Sequence, residues 1–309
     1  METLEIKQAI SLKRILVATD FSAPSKVALH YAAALAERHG SKIYVTHVIP
    51  PVPRTFIPIE PAPPELDADR TQAELDLQNF VSGGSLERID HEALLERGPI
   101  QNVLSEQIRQ HEIDLVVLGT HGRSGIGTLL LGSVAEAIFR FVSCPVVTVG
   151  PLVPIEPRDA GHVRQILFAT DFGSASLAAL PYAISLAKED AAHLVMLHVL
   201  APIPSLNASP PWYSRAELME QQEPARQRIL DRLAQLIPKE EHLSFAAEFV
   251  APFDTLPWGI LNVAEEREAD LIVMGVNRAP FVRASAHMPW AVAHEIVRYA
   301  KCPVLTVRS

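Results

Sequence analysis

The chain has 309 residues, 48% of them hydrophobic and 20% charged, which suits two domains with full cores and excludes a disordered chain. Its formal net charge of -9 argues against a general nucleic-acid-binding surface, since phosphate backbones are met by Lys and Arg. The opening METLEIKQAISLKR lacks an apolar signal core, and no run approaches the ~18 apolar residues of a membrane span, so no membrane contact and a reducing cytoplasm are expected. Cys144 and Cys302 each open an apolar run in a Cys-Pro-Val context. They read as buried packing residues, without metal-ligand spacing or a disulfide framework.

In chain order, Ile15–Ala18 is a short apolar run without polar alternation, the pattern of a strand buried on both faces. Val27, Tyr31 and Ala34/Leu35 then recur at helical spacing, with Ser22 as N-cap and Gly40 as stop. Ile43–Val48 is the second strand. The Pro-rich Pro50–Pro64 follows as a loop: a lid, a partner surface or a plain connection. Arg97–Gly98–Pro99 precedes a helix that places Ile100, Val103, Leu104 and Ile108 on one face. Leu115–Leu118 and Val146–Val149 complete the strands. Between them lies GTHGRSGIGTLLLGS (Gly119–Ser133), which holds five of the chain's 14 glycines. Ser133 with Glu136 forms a capping box, so a helix is expected from Ser133 with Val134, Ile138 and Phe141/Val142 on its buried side.

The pattern then repeats. RILVATDFS (Arg14–Ser22) returns as QILFATDFG (Gln165–Gly173), an offset of 151 residues, and YVTHVIPP (Tyr44–Pro51) as VMLHVLAP (Val195–Pro202) at the same offset. DLVVLG (Asp114–Gly119) returns as DLIVMG (Asp270–Gly275), and CPVVTV (Cys144–Val149) as CPVLTV (Cys302–Val307). Four matches in one order indicate duplication of a whole domain. The expected domains are 1–152 and 160–309, joined within the Pro-rich, charged stretch Gly150–Val163. Alternating strands and helices imply an α/β fold, two tandem open parallel-sheet α/β domains with right-handed crossovers. The second copy has its own Pro-rich loop at Ala201–Pro211, and Pro181 interrupts its first helical pattern, where a kink is expected.

Strand, glycine loop and helix N-terminus form a phosphate-binding arrangement: free N–H groups, a positive dipole end and no Cβ in the way. A Walker A loop needs a lysine that Ser133 replaces, and a dinucleotide fingerprint would need glycine where Leu130 stands. G-x2-G-x9-G-[ST] fits in full at Gly119, Gly122, Gly132 and Ser133. With ILVATDFS, the HV closing the second strand and the CPV of the last, this resembles the ATP-binding motif of the universal stress protein family, and the resemblance covers essentially the whole chain. It implies ATP as the adenine nucleotide bound, sometimes with a divalent ion such as Mg2+ or Mn2+. By resemblance Asp20 contacts the nucleoside and Ala18 precedes that turn. Val48 lies beside the adenine, and Leu118 and Gly119 close the strand under the ribose. Gly122, Gly132, Ser133 and Val134 bind phosphate. Family members often dimerise through their last strands. A tandem chain resembles that dimer fused, so Val146–Val149 and Val304–Val307 are expected to pair as an internal pseudo-dimer, with a homodimer as a further option.

The second copy breaks the motif. Arg278 stands for Gly122, Trp290 for Gly132, Ala291 for Ser133 and His294 for Glu136. An indole does not fit where main chain touches phosphate, so this copy is expected not to bind ATP in the family's way. Arg278, Arg283 and His287 either hold another anion or line a solvated loop. Asp171 survives without the phosphate loop, so Asp20 reads as a nucleoside contact with a turn-forming duty beside it. His47 and His198 read as hydrogen-bonded core or rim residues, and His121 as a phosphate neighbour or as turn chemistry. The resemblance implies an ATP-binding protein with a regulatory or stress-protective role. A slow ATPase and a non-nucleotide scaffold or apolar-ligand carrier are the alternatives. For an ATPase the loop offers only His121, Arg123, Ser124 and Thr128, with no metal-holding acid.

Overall fold

The structure is a computed structural model, described for residues 12–51, 65–120, 138, 142, 144–155, 162–201, 215–237, 247–277 and 289–308. It divides into two compact units, one spanning Ser11–His162 and the other built on Val163–Ser309.

In the first unit the elements are β1 (Arg14–Ala18), α1 (Ala23–His39), β2 (Lys42–Ile49), α2 (Glu65–Val81), β3 (His91–Arg97), α3 (Ile100–Gln110), β4 (Leu115–Gly119) and β5 (Val146–Val149). The strands lie in the order β3-β2-β1-β4-β5, every neighbouring pair parallel. The apolar runs of β1 and β4 are central and covered on both faces: Ile15, Leu16, Val17, Val116 and Val117 are all fully buried. At the amino ends Asp114 clamps β1, its carboxylate accepting from the main-chain N–H of Lys13 (2.8 Å) and Arg14 (3.1 Å).

α1 begins and ends where its caps dictate. Ser22 accepts from the Ser25 N–H, and Gly40 closes the helix in the left-handed conformation at φ 61°. Its buried face, however, is Ser25, Ala28, Leu29, Ala32, Ala33 and Ala36. The expected stripe of Val27, Tyr31 and Ala34/Leu35 is only half-buried. The reason is close approach. A Cβ on Gly119 would overlap the Pro24 carbonyl and lie 2.9 Å from the Ser25 nitrogen, so the first turn of α1 rests on the end of β4. Small side chains therefore dominate the face beneath a helix held that near, Leu29 being its one large residue.

Two elements of this unit had no expectation. The Pro-rich segments expected as loops lie almost wholly outside the described residues; α2 buries Ala73, Leu77 and Phe80, a spacing of four and three residues that defines one helical face. β3 (HEALLER) pairs with β2 from Ile43↔His91 to Ile49↔Arg97. It is the outer strand of this unit's set, its residues exposed or half-buried and Leu94 packed on the core, and its residues favour helix intrinsically, so pairing decides its conformation.

The second unit repeats the plan: β6 (Gln165–Ala169), α4 (Ser174–Asp190), β7 (His193–Leu197), α5 (Arg215–Gln235), β8 (Ala247–Val250), α6 (Trp258–Glu266), β9 (Leu271–Val276), α7 (Pro289–Tyr299) and β10 (Val304–Arg308). Its order is β8-β7-β6-β9-β10, again parallel. Asp270 repeats the clamp on Arg164 and Gln165 N–H groups at 3.0 and 3.1 Å. α4 continues through Pro181 as one element. A Cβ on Gly275 would overlap the backbone of Ala175 and Ser176, the counterpart of the Gly119 contact.

Candidate functional site

In the order β3-β2-β1-β4-β5, β1 and β4 are neighbours whose connections leave in opposite directions. That reversal opens a crevice at the carboxyl ends of the strands. Strand register brings four of the sequence-derived residues there. Ala18 pairs with Leu118 across β1 and β4 and with Thr46 across β1 and β2. Val48, two residues beyond Thr46, therefore shares their sheet face. Gly119 ends β4. Ala18 (6% exposed) and Leu118 (1%) belong to a core cluster with Leu16, Tyr44, Leu104, Ile138 and Val142, against which Val48 packs half-buried. Their side chains are thus core, and what they present to the crevice is main chain. Gly119 has a sufficient packing reason in the Pro24–Ser25 backbone.

Asp20 sits in a tightly specified turn after β1. Thr19 Oγ1 accepts from the Phe21 N–H at 2.9 Å and donates to Ser25 Oγ at 3.0 Å. Asp20 Oδ1 accepts from the Ser22 N–H at 3.0 Å. Among the described residues this is the carboxylate's one hydrogen bond, and it leaves Oδ2 open. Phe21 takes φ 64°, the left-handed region that a bulky side chain rarely occupies. His47 Nδ1 lies 2.8 Å from the Thr19 carbonyl oxygen. A carbonyl only accepts, so Nδ1 carries the proton. The imidazole also stacks on the Phe21 ring, centroids 4.2 Å apart at 28°, and Phe80 meets Phe21 edge-on at 5.8 Å.

The second unit builds the same turn. Phe172 has φ 62°, its N–H reaches Thr170 Oγ1 at 2.9 Å, and His198 Nδ1 lies 2.8 Å from the Thr170 carbonyl. Two differences stand out. Asp171 Oδ1 accepts from both the Gly173 N–H (2.8 Å) and Ser176 Oγ (2.6 Å). Burial pushes its pKa up, but those hydrogen bonds prevail and hold it below the ordinary carboxylate value. Phe172 also carries the Arg232 guanidinium 3.9 Å above its ring, where Phe21 has Phe80.

Of the nine residues named for the nucleotide, Gly122, Gly132, Ser133 and Val134 lie outside the described residues, as do His121, Arg123, Ser124, Thr128, Arg278, Arg283, His287 and the side chain of Trp290. Ile138 and Val142 are described; both are buried and joined by a helical Val142 N–H to Ile138 carbonyl bond of 3.1 Å. Among the described residues no group of three or more His, Cys, Asp or Glu is arranged to hold a metal, and no helix is long and apolar enough to cross a membrane. The reading of His47 and His198 as hydrogen-bonded rim residues agrees with these contacts; the ring contact with Phe21 and the left-handed Phe21 backbone were not foreseen.

A family model described as the universal stress protein family matches the chain twice, over residues 11–150 and 162–308. A universal stress protein of Mycolicibacterium smegmatis is 26% identical over 309 residues, covering 95% of this chain and 96% of that protein. One of Thermus aquaticus is 34% identical over 139 residues, 44% of this chain and 98% of its own. Among solved structures, a universal stress protein from Archaeoglobus fulgidus aligns with a TM-score of 0.63 at 18% identity, covering 96% of this chain and 98% of that one, a likeness of fold.

Proposed function

The chain belongs to the universal stress protein family, and on that premise we propose that its N-terminal unit binds ATP at the carboxyl ends of β1 and β4, as a nucleotide-dependent regulator of a stress response in the cytoplasm. The reading is carried by one coincidence. The intact spacing of Gly119, Gly122, Gly132 and Ser133 begins where β4 ends, beside the point at which strand order reverses.

The described residues fit a nucleoside. Main chain at Ala18, Leu118 and Gly119, the half-buried Val48, and the open Oδ2 of Asp20 stand together at the carboxyl ends of β1, β2 and β4. A carboxylate oxygen in that position suits a ribose hydroxyl donor. Gly122, Gly132, Ser133 and Val134 would supply main-chain N–H groups and a hydroxyl to the phosphates. An accompanying Mg2+ or Mn2+ would neutralise phosphate charge and take most of its ligands from the nucleotide and water. In the C-terminal unit Trp290 and Ala291 replace Gly132 and Ser133, and we assign it no ATP.

The test is direct. Purified protein is denatured, the small molecules released are identified by mass spectrometry, and the stripped protein is titrated with ATP. Adenine nucleotide in the released fraction and saturable ATP binding are expected. An empty fraction together with no ATP binding overturns the reading.

A further inference from the structure

We propose that His47 is a positioning residue for the nucleoside end of this site: it holds the Thr19–Asp20–Phe21 turn in the one conformation that leaves an Asp20 oxygen open. This rests on the nucleotide reading of the N-terminal unit and adds to it the residue that sets nucleoside affinity.

The left-handed φ of 64° at Phe21 costs a bulky side chain free energy, and such a conformation persists only where its surroundings over-determine it. The bonds from Phe21 N–H to Thr19 Oγ1 and from Ser22 N–H to Asp20 Oδ1 are local to the turn and move with it. Restraint has to come from outside; the Thr19 N–H bond to the Thr46 carbonyl (3.0 Å), the Thr19 Oγ1 bond to Ser25 Oγ and the Phe80 edge each hold one residue of the turn. His47, on β2, supplies it twice: its Nδ1–H holds the Thr19 carbonyl at 2.8 Å, and its ring stacks on Phe21 at 4.2 Å. One side chain thus fixes the residue before Asp20 and the residue after it. If Phe21 relaxes to a negative φ, the peptide between them turns and the carboxylate turns with it.

The second unit supplies the contrast. His198 makes the same hydrogen bond and a looser ring contact of 4.8 Å with Phe172. Asp171, however, is independently fastened by Ser176 Oγ at 2.6 Å. Asp20 lacks that bond. Ser25 Oγ donates to the Ser22 carbonyl at 2.9 Å, as Ser176 Oγ does to the Gly173 carbonyl at 3.1 Å, but only Ser176 also reaches the carboxylate. The aim of Asp20 therefore rests more on its histidine than that of Asp171, which Ser176 also holds.

The test uses the full chain with three variants: His47→Phe keeps the ring and loses the N–H donor, His47→Asn keeps a donor near the Nδ1 position and loses the stack, and His198→Phe is the matched change in the other unit. Binding of ATP is measured by calorimetry, and adenosine and inorganic tripolyphosphate are measured by competition. His47→Phe is expected to weaken ATP and adenosine about tenfold, the scale of one lost buried hydrogen bond, while leaving tripolyphosphate unchanged. His47→Asn recovers part of that loss. His198→Phe lowers the melting temperature as His47→Phe does but leaves ATP affinity at the wild-type value. A purely structural histidine would weaken all three ligands together. That result, or wild-type ATP and adenosine affinity in His47→Phe, overturns the proposal. Wild-type protein that binds none of the ligands overturns the nucleotide reading first, and this inference falls with it.

Discussion

Gly119→Ala separates packing from ligand binding. A methyl group at Gly119 would collide with the Pro24 carbonyl and stand 2.9 Å from the Ser25 nitrogen. These are backbone atoms of a capped helix turn, and no rotamer relieves them. α1 has to retreat by roughly 1 Å to restore an ordinary contact, which loosens its seating through Ala28, Ala32, Ala33 and Ala36, all at most 6% exposed. Overpacking of this kind costs about 1–3 kcal/mol. Because the obstacle is main chain, the upper half of that range applies, roughly 4–12 °C in melting temperature for a domain of this size. Gly275→Ala should cost at least as much, since its methyl would overlap the Ala175 and Ser176 backbone more deeply. Thermal unfolding should be followed by far-UV circular dichroism. Trp212, Trp258 and Trp290 all lie in the second half of the chain, so tryptophan emission would not report on the first. If Gly119→Ala melts within about 1 °C of wild type, the contact does not constrain the helix and the packing reason for this glycine is wrong.

Asp171→Asn should weaken the C-terminal unit in a pH-dependent way. The folded-state pKa of Asp171 lies below its ordinary value of 3.8. Its contribution is therefore present above that value and lost as pH falls through the lower folded value. Urea midpoints of variant and wild type should differ at neutral pH and converge in strong acid; a gap that stays constant with pH would refute this. Cys302 is buried, as expected, but Cys144 is only half-buried; the protein around it still desolvates its thiol and pushes it up to about 12. Native protein at pH 8 should accordingly resist iodoacetamide until urea unfolds it, and rapid labelling of the folded protein would contradict the burial.

Local signals were legible where short-range chemistry decides the outcome. Ser22 and Gly40 bound α1 because a cap hydrogen bond and a left-handed residue need no tertiary context. The duplicated strands were legible because a strand covered on both faces is a plain apolar run. The buried face of α1 was not. Val27, Tyr31 and Leu35 suggested one stripe, but a helix resting on Gly119 selects the alanine-rich stripe that includes Leu29, and that depends on a contact between Pro24 and residue 119. β3 was hidden because HEALLER has helix-favouring residues and becomes a strand only by pairing with β2. At the site, the repeated Asp and His were visible, but their linkage through the Thr19 carbonyl required the β1–β2 register. The break in the second copy emerged from counting back from Cys302, a comparison internal to the sequence.

The central proposal is that one half of a duplicated chain binds ATP through Gly119, Gly122, Gly132 and Ser133, and that the other half, with Trp290 in place of Gly132, does not. Calorimetric titration of stripped wild-type protein and of Gly132→Trp, which copies the second half into the first, tests it most directly. One ATP per chain for wild type and none for the variant are expected. Two ATP per chain, or wild-type affinity in Gly132→Trp, would contradict it.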